Sequence, residues 1–159
     1  MKIKIVYYSQ TNFTKSVALR LEEALQEKGH DVVLEPITTI SEKPQTESPP
    51  RLQQTPTLDD CDVAILGSPV WAFSLSGVMK AYLDTLEEAP HDTLLFVTEF
   101  FPFPCLGGNR ALRVMAKKLR SKGAHPKTLG VWNRARKKRG PRQIEAIVQA
   151  ALSSLDHEG

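Results

Sequence analysis

The chain has 159 residues, 41% of them apolar and 25% charged, enough for one globular domain with a full core, and no apolar run nears the roughly 20 residues of a membrane span. Its net charge of +3 conceals a division: residues 1 to 99 carry 8 Lys/Arg against 15 Asp/Glu, residues 100 to 159 carry 13 against 3, leaving −7 and +10. Two cysteines without motif spacing argue against a disulfide scaffold, and His30, His91, His125 and His157, read as separate surface or loop residues, have no partners at metal-ligand spacing, so no metal is expected.

The first residues lack the apolar stretch and cleavage site of a signal peptide and read as a strand over Ile3 to Tyr8, which predicts a cytoplasmic protein with Cys61 and Cys105 free. A polar turn follows, then a helical period at Val17, Ala18, Leu21, Ala24 and Leu25, closed by Gly29. Asp31 to Leu34 is a second strand. Residues 38–57, with Pro44, Pro49, Pro50 and Pro56 among Ser, Thr and Gln, leave little room for the helix that the alternation requires next. Val63 to Gly67 is a third, unbroken apolar strand, followed by a loop and a helix carrying Val78, Met79, Tyr82, Leu83 and Leu86 on one face. Leu94 to Val97 is a fourth strand, before a long loop and a helix with Ala111, Leu112, Met115 and Leu119. Thr128 to Trp132 is a fifth, and Pro141 opens a last helix bearing Ile144, Ile147, Val148, Ala151, Leu152 and Leu155. Five non-alternating strands between helices predict an α/β fold, a single three-layer, doubly wound domain over residues 1–159 with a parallel sheet covered on both faces.

In such a sheet a ligand sits beyond the carboxyl ends of the strands, where strand order reverses. Three loops meet there. Ser9-Gln10-Thr11-Asn12-Phe13-Thr14 packs three hydroxyls just before a helix, whose unpaired N–H groups and dipole favour an anion. It lacks both the Gly-x-Gly spacing of dinucleotide folds and a P-loop ending, so a mononucleotide phosphate fits better than NAD or ATP, with a simple helix cap by Thr11 or Asn12 as the alternative. The second loop, Ser68-Pro69-Val70-Trp71-Ala72-Phe73-Ser74, sets large aromatics where they could cover a planar ring, or else pack as core.

Gly67-Ser68-Pro69-Val70-Trp71, the hydroxyl-rich first loop and Gly77-Val78-Met79-Lys80-Ala81-Tyr82-Leu83-Asp84 together resemble flavodoxin-family proteins and their NAD(P)H-dependent FMN or quinone reductase relatives. The resemblance implies strand order 2-1-3-4-5 and FMN as cofactor. It places the phosphate on Ser9 to Thr14, with Asn12 where a glycine is usual, a residue that tolerates the left-handed conformation. It stacks Trp71 or Phe73 on the flavin, with Ser68 and the backbone of Pro69, Val70 and Ala72 along the ribityl chain. It puts Thr98, Glu99 and Phe100 at the pyrimidine edge, with Gly107 and Gly108 easing close approach. The third loop departs from the family in having one acid, Glu99, and Phe in place of Tyr; Phe100, Phe101 and Phe103 could equally form a dimer contact or an apolar substrate pocket.

Arg134, Arg136, Lys137, Lys138 and Arg139 follow the fifth strand, on the rim that carries the flavin loops. They read either as a solvated charge run or as a docking site for an acidic redox protein or the phosphates of NADPH, in preference to nucleic acid. The leading expectation is an FMN-dependent oxidoreductase passing electrons from a reduced nicotinamide or protein donor to a quinone, small acceptor or partner protein, with the flavin carrying the chemistry and no catalytic side chain assigned. A non-catalytic electron carrier and a basic binding module without flavin stand beside it.

Overall fold

A computed structural model describes residues 1–100, 107–133 and 140–156. The chain runs β1 (Lys2–Tyr7), α1 (Phe13–Glu27), β2 (Asp31–Pro36), β3 (Thr38–Thr39), β4 (Leu52–Gln54), β5 (Val63–Trp71), β6 (Ser74–Leu75), α2 (Gly77–Thr85), β7 (Asp92–Glu99), α3 (Gly108–Arg120), β8 (His125–Asn133) and α4 (Gly140–Asp156). The five long strands form a parallel sheet in the order β2-β1-β5-β7-β8, the 2-1-3-4-5 arrangement expected. The crossovers leave β1 and β5 toward opposite edges of the sheet, so the loops after these two strands diverge and open a crevice.

Both faces of the sheet are covered, which is why its strands are apolar without alternation. Ile3, Ile5, Val63, Ile65 and Phe96 pack against Val17, Leu21 and Leu25 of α1 and Ile147 and Ala151 of α4. Val6, Ala64, Leu66, Leu95 and Val97 face Val78, Met79 and Tyr82 of α2 and Leu112, Met115 and Leu119 of α3. Each fully buried Leu or Ile stabilises the fold by about 1.5–3 kcal/mol relative to leaving it in water. α1 ends in a Schellman turn, with Gly29 N–H donating to the Gln26 carbonyl at 2.9 Å and His30 N–H to that of Leu25 at 3.2 Å.

The proline-rich connection forms no α-helix. It folds as the β3–β4 ribbon with a single 3-10 turn at Pro44–Thr46. Ile37 and Leu58 still plug the α2-side core, yet the missing helix leaves space over β1 that Lys4 occupies. Its ammonium, buried to 3% exposure, donates to Asp60 at 2.6 Å and to the Thr57 carbonyl at 2.8 Å, with Glu35 at 3.6 Å. A lysine inside a covered sheet is tolerable because this connection supplies its partners.

Several boundaries differ from expectation. The third strand does not stop at Gly67: Ser68 and Pro69 continue to pair with β7, and Val70 and Trp71 fold back on Leu75 and Ser74 of β6 as a hairpin. Its two-residue turn, Ala72 and Phe73, has φ of 47° and 62°, a pair of left-handed conformations matching the twist of the strands. The fourth and fifth strands likewise run longer, because the sheet pairs beyond the apolar stretches. His91 and His125 are not independent either: their rings stack at 4.2 Å where β7 and β8 begin. Cys61 is free, and burial pushes its thiol up to about 11. Among the described residues no helix is long and apolar enough to cross a membrane, and no group of three His, Cys, Asp or Glu could hold a metal.

Candidate functional site

The carboxyl ends of β1, β5 and β7 surround a cleft of about 210 Å³. The first loop and α1 contribute Gln10, Thr11, Phe13 and Thr14; the end of β5 contributes Pro69, Val70 and Trp71; the end of β7 contributes Thr98, Glu99 and Phe100. A larger opening of about 480 Å³, lined by residues 55–59 and 85–88, lies at the opposite, amino end of the sheet, away from every predicted site residue. Position at the switch point, rather than size, identifies the first cleft.

At one end of the cleft stands the N-terminus of α1. Asn12 is its N-cap in the left-handed conformation, φ 66° and ψ 2°, and its side chain makes no capping bond. The helix-cap alternative for Asn12 therefore does not hold, and a non-glycine residue accepts a backbone geometry that costs roughly 1 kcal/mol. Ser9 Oγ accepts the Lys15 N–H at 3.3 Å, while Thr11 is exposed on the cleft. Thr14 is buried, and its hydroxyl shares a 2.9 Å hydrogen bond with that of Thr98, pinning α1 to β7. Gln10 donates to Gln45 at 3.0 Å, so the irregular connection reaches the site through a residue that sequence reading missed. No local signal marks Gln45; only the path of that connection does.

The aromatic wall comes from the hairpin. Trp71 is half-buried, edge-on to Tyr8 with ring centroids 5.7 Å apart, and lines the cleft. Phe73 sits at the tip, 48% exposed and outside the cleft lining, as does Ala72. Ser68, expected beside a ribityl chain, does not reach the cleft. It is fully buried, and its hydroxyl meets that of Ser76 at 2.9 Å, the N-cap whose Oγ accepts Met79 N–H at 3.2 Å. Once β5 continues past Gly67, the residue at 68 points into the α2 side of the sheet.

At the β7 end, Glu99 is 3% exposed. Its Oε1 accepts Asn133 Nδ2 at 2.6 Å, the Gly108 N–H at the start of α3 also donates to its carboxylate, and among the described residues Oε2 has no hydrogen-bond partner. Burial raises its pKa above the ordinary 4.5, outweighing the two hydrogen bonds that lower it. Asn133 is held in turn by Gln143, which accepts the Asn133 N–H at 2.8 Å and ties β8 to α4. Trp132, next to Asn133, packs on Phe13 at 5.7 Å, and its buried Nε1 has no partner among the described residues. Asn133, Gln143 and Trp132 support the site from β8 and α4; the only signal in the sequence was the place of Trp132 and Asn133 at the end of the fifth strand and of Gln143 at the start of the last helix. Gly107 and Gly108 allow close approach, but to the protein itself: a Cβ at Gly107 would lie 2.8 Å from Phe73 Cα, and one at Gly108 2.9 Å from Val131 and 3.0 Å from Glu99 Oε1. Phe100 is exposed, whereas Phe101, Phe103, Cys105 and the basic run from Arg134 through Arg136, Lys137 and Lys138 to Arg139 lie outside the described residues.

The cleft thus joins a helix N-terminus with a free-standing threonine to an indole wall and a buried carboxyl. This is a shape for an elongated ligand with an anionic end and a planar end. Two polar atoms without a partner among the described residues stand at neighbouring strand ends: Glu99 Oε2 on β7, which lines the cleft, and Trp132 Nε1 on β8 beside it.

The sequence profile of the NADPH-dependent FMN reductase family matches residues 1–131. No curated protein sequence matches the chain. Among solved structures, flavodoxin 2 from Bacillus cereus aligns with a TM-score of 0.67 and 17% identity over 99% of both chains. An oxidoreductase from Corynebacterium diphtheriae aligns at 0.65 and 20% identity over 99% of this chain and 97% of that one. A flavoprotein in complex with FMN from Lactobacillus acidophilus aligns at 0.62 and 16% identity over 88% of this chain and 98% of that one. At these identities the structural likenesses establish the fold.

Proposed function

The chain belongs to the NADPH-dependent FMN reductase family, and on that premise we propose that it holds one FMN in the cleft and passes electrons from a reduced nicotinamide or protein donor to a quinone, another small acceptor or a partner protein. The observation that carries the reading is the coincidence, at one switch point, of the α1 N-terminus behind Asn12, whose side chain makes no capping bond, with the Trp71 wall. Bound FMN supplies the electron-carrying ring, and the residues of this chain hold it. The first-turn N–H groups of α1, with the Thr11 hydroxyl, take the phosphate; Thr14, already bonded to Thr98, fixes the angle of that helix. Trp71 covers one face of the ring. Glu99, held by Asn133 and Gly108, presents its remaining carboxylate oxygen where a ring N–H would satisfy it.

Titration of apo-protein with FMN and FAD, followed by quenching of tryptophan fluorescence, tests the site: FMN binds tightly and FAD weakly, because the cleft has one phosphate cradle and no second glycine fingerprint. Equal affinity, or no quenching by either, would refute the assignment. Steady oxidation of NADPH by the loaded protein with benzoquinone supports the reductase reading, and FMN binding without NADPH turnover leaves the carrier in its place.

A further inference from the structure

One face of α3 takes no part in the contacts described above. Arg110, Arg113, Lys117 and Arg120 follow one another at spacings of three, four and three residues, which sets them along a single helical stripe. All four are exposed, and none forms an ion pair among the described residues; Lys118, on the flank toward α2, is paired, with Asp84 at 2.7 Å. No acidic residue occurs between Glu99 and Glu145, so neither α3 nor β8 offers compensation. Like charges three and four apart repel and weaken a helix; the helix dipole favours Lys117 and Arg120 in the last turn, whereas Arg110 and Arg113, nearer the N-terminus, gain nothing from it.

Beside the stripe, α3 and the edge strand β8 enclose a groove of about 430 Å³, with Leu112 and Ala116 as apolar floor, Arg113 and Arg120 as walls, and Asn109 and Thr128 completing the lining. β8 pairs with β7 on one side, and in the described sheet its other edge is open. We infer that this groove docks an acidic segment of a partner protein, its carboxylates on the arginines and an apolar side chain on Leu112 and Ala116. Charge complementarity selects the sign of the partner, and the apolar floor selects its class. A nucleic acid would meet the protruding cations but make no use of the floor, and α3 has no aromatic ring on which bases could stack. From Arg110 to Arg120 the stripe spans about 15 Å, the length of about ten helical or five extended residues.

The groove reaches the proposed flavin site. Asn109 and Arg110 directly follow Gly108, whose N–H donates to the Glu99 carboxylate at the end of β7, so a protein seated on the stripe stands at the rim of the cleft. Making that protein an electron partner rests on the function proposed above; the docking does not.

The test uses the whole protein and a fluorescein-labelled peptide of about twelve residues, rich in Asp and Glu around two leucines, measured by anisotropy at low and high salt, with a labelled DNA strand of similar charge as competitor. The peptide binds at low salt and weakens steeply as salt rises. R113E/R120E lowers its affinity by about tenfold or more, and Thr128→Trp, which fills the groove at constant charge, lowers it comparably. K28E/K43E, an equal charge change at exposed positions off the groove, leaves it within about twofold. The inference is overturned if T128W binds the peptide normally, if K28E/K43E loses as much as R113E/R120E, or if DNA binds more tightly through the same arginines. FMN titration of the unmodified protein runs alongside: peptide binding without FMN binding refutes the flavin reading alone, and FMN binding without peptide binding refutes the docking alone.

Discussion

Changing Glu99 to Gln isolates the most exceptional group in the site. The carboxyl is 3% exposed, has one oxygen engaged by Asn133 at 2.6 Å, and leaves the other without a partner. A buried acceptor lacking its hydrogen bond costs about 1–3 kcal/mol, and more when charged. The amide of Gln keeps an acceptor for Asn133 and Gly108 and removes the charge, so the variant without ligand gains about 1–2 kcal/mol at neutral pH, after allowing for weaker bonds to an uncharged acceptor. In a chain of this size each kcal/mol moves the midpoint by about 2–4 °C. The sign with pH follows from linkage. Burial raises the folded pKa of Glu99 above its ordinary 4.5, so its favourable contribution is fully present below 4.5 and is lost as pH rises through the raised value. Thermal and urea unfolding of both proteins from acid to neutral pH therefore shows near-equal stability at the acid end and a widening advantage for E99Q above it. An advantage independent of pH, or a variant less stable at neutrality, would show that the carboxylate is compensated by its α3 and β8 partners and is not a strained, waiting group.

Trp71→Ala weakens FMN by about tenfold, from roughly 1 kcal/mol of stacking and the lost contact area, while Phe73→Ala at the exposed hairpin tip changes affinity little; a reversal in the same titration assigns the ring to Phe73. Asp60→Ala destabilises more than Lys4→Met in urea unfolding, because it leaves the buried ammonium with only the Thr57 carbonyl and the more distant Glu35, whereas Asp60, half exposed, rehydrates when Lys4 is lost. The hydrogen bond from Lys4 lowers the Asp60 pKa below 3.8, so its contribution is present above 3.8 and fades as pH falls through the lowered value; a pH-independent difference between wild type and D60A argues against it. With its thiol at about 11, Cys61 is about one-thousandth thiolate at pH 8, and in a Cys105→Ser background it reacts with iodoacetamide far more slowly than free cysteine; reaction at the free rate would show that Cys61 is not buried in solution.

What the sequence determined by itself is the part governed by local period and backbone stereochemistry. Unbroken apolar runs at Val63 and Leu94, and a run at Ile3 interrupted only by Lys4, each followed by a 3.6-residue pattern, require strands covered on both faces, and that requirement leads to the doubly wound sheet. The hydroxyl-rich turn before Val17 announced a helix N-terminus, and Asn12 in a left-handed N-cap is what its chemistry allows. Tertiary structure decided what depends on register between distant segments. Pairing of Ser68 and Pro69 with β7 carried the third strand onward to Trp71, turned Ser68 into the support of the α2 cap, and left Phe73 at a hairpin tip. Glu99 meets Asn133 across 34 positions only because β7 and β8 align those residues, and Lys4 finds Asp60 only because no helix fills the crossover above it. Periodicity reports which face a side chain takes; the partner waiting on that face is set by strand order and register, which no local window contains.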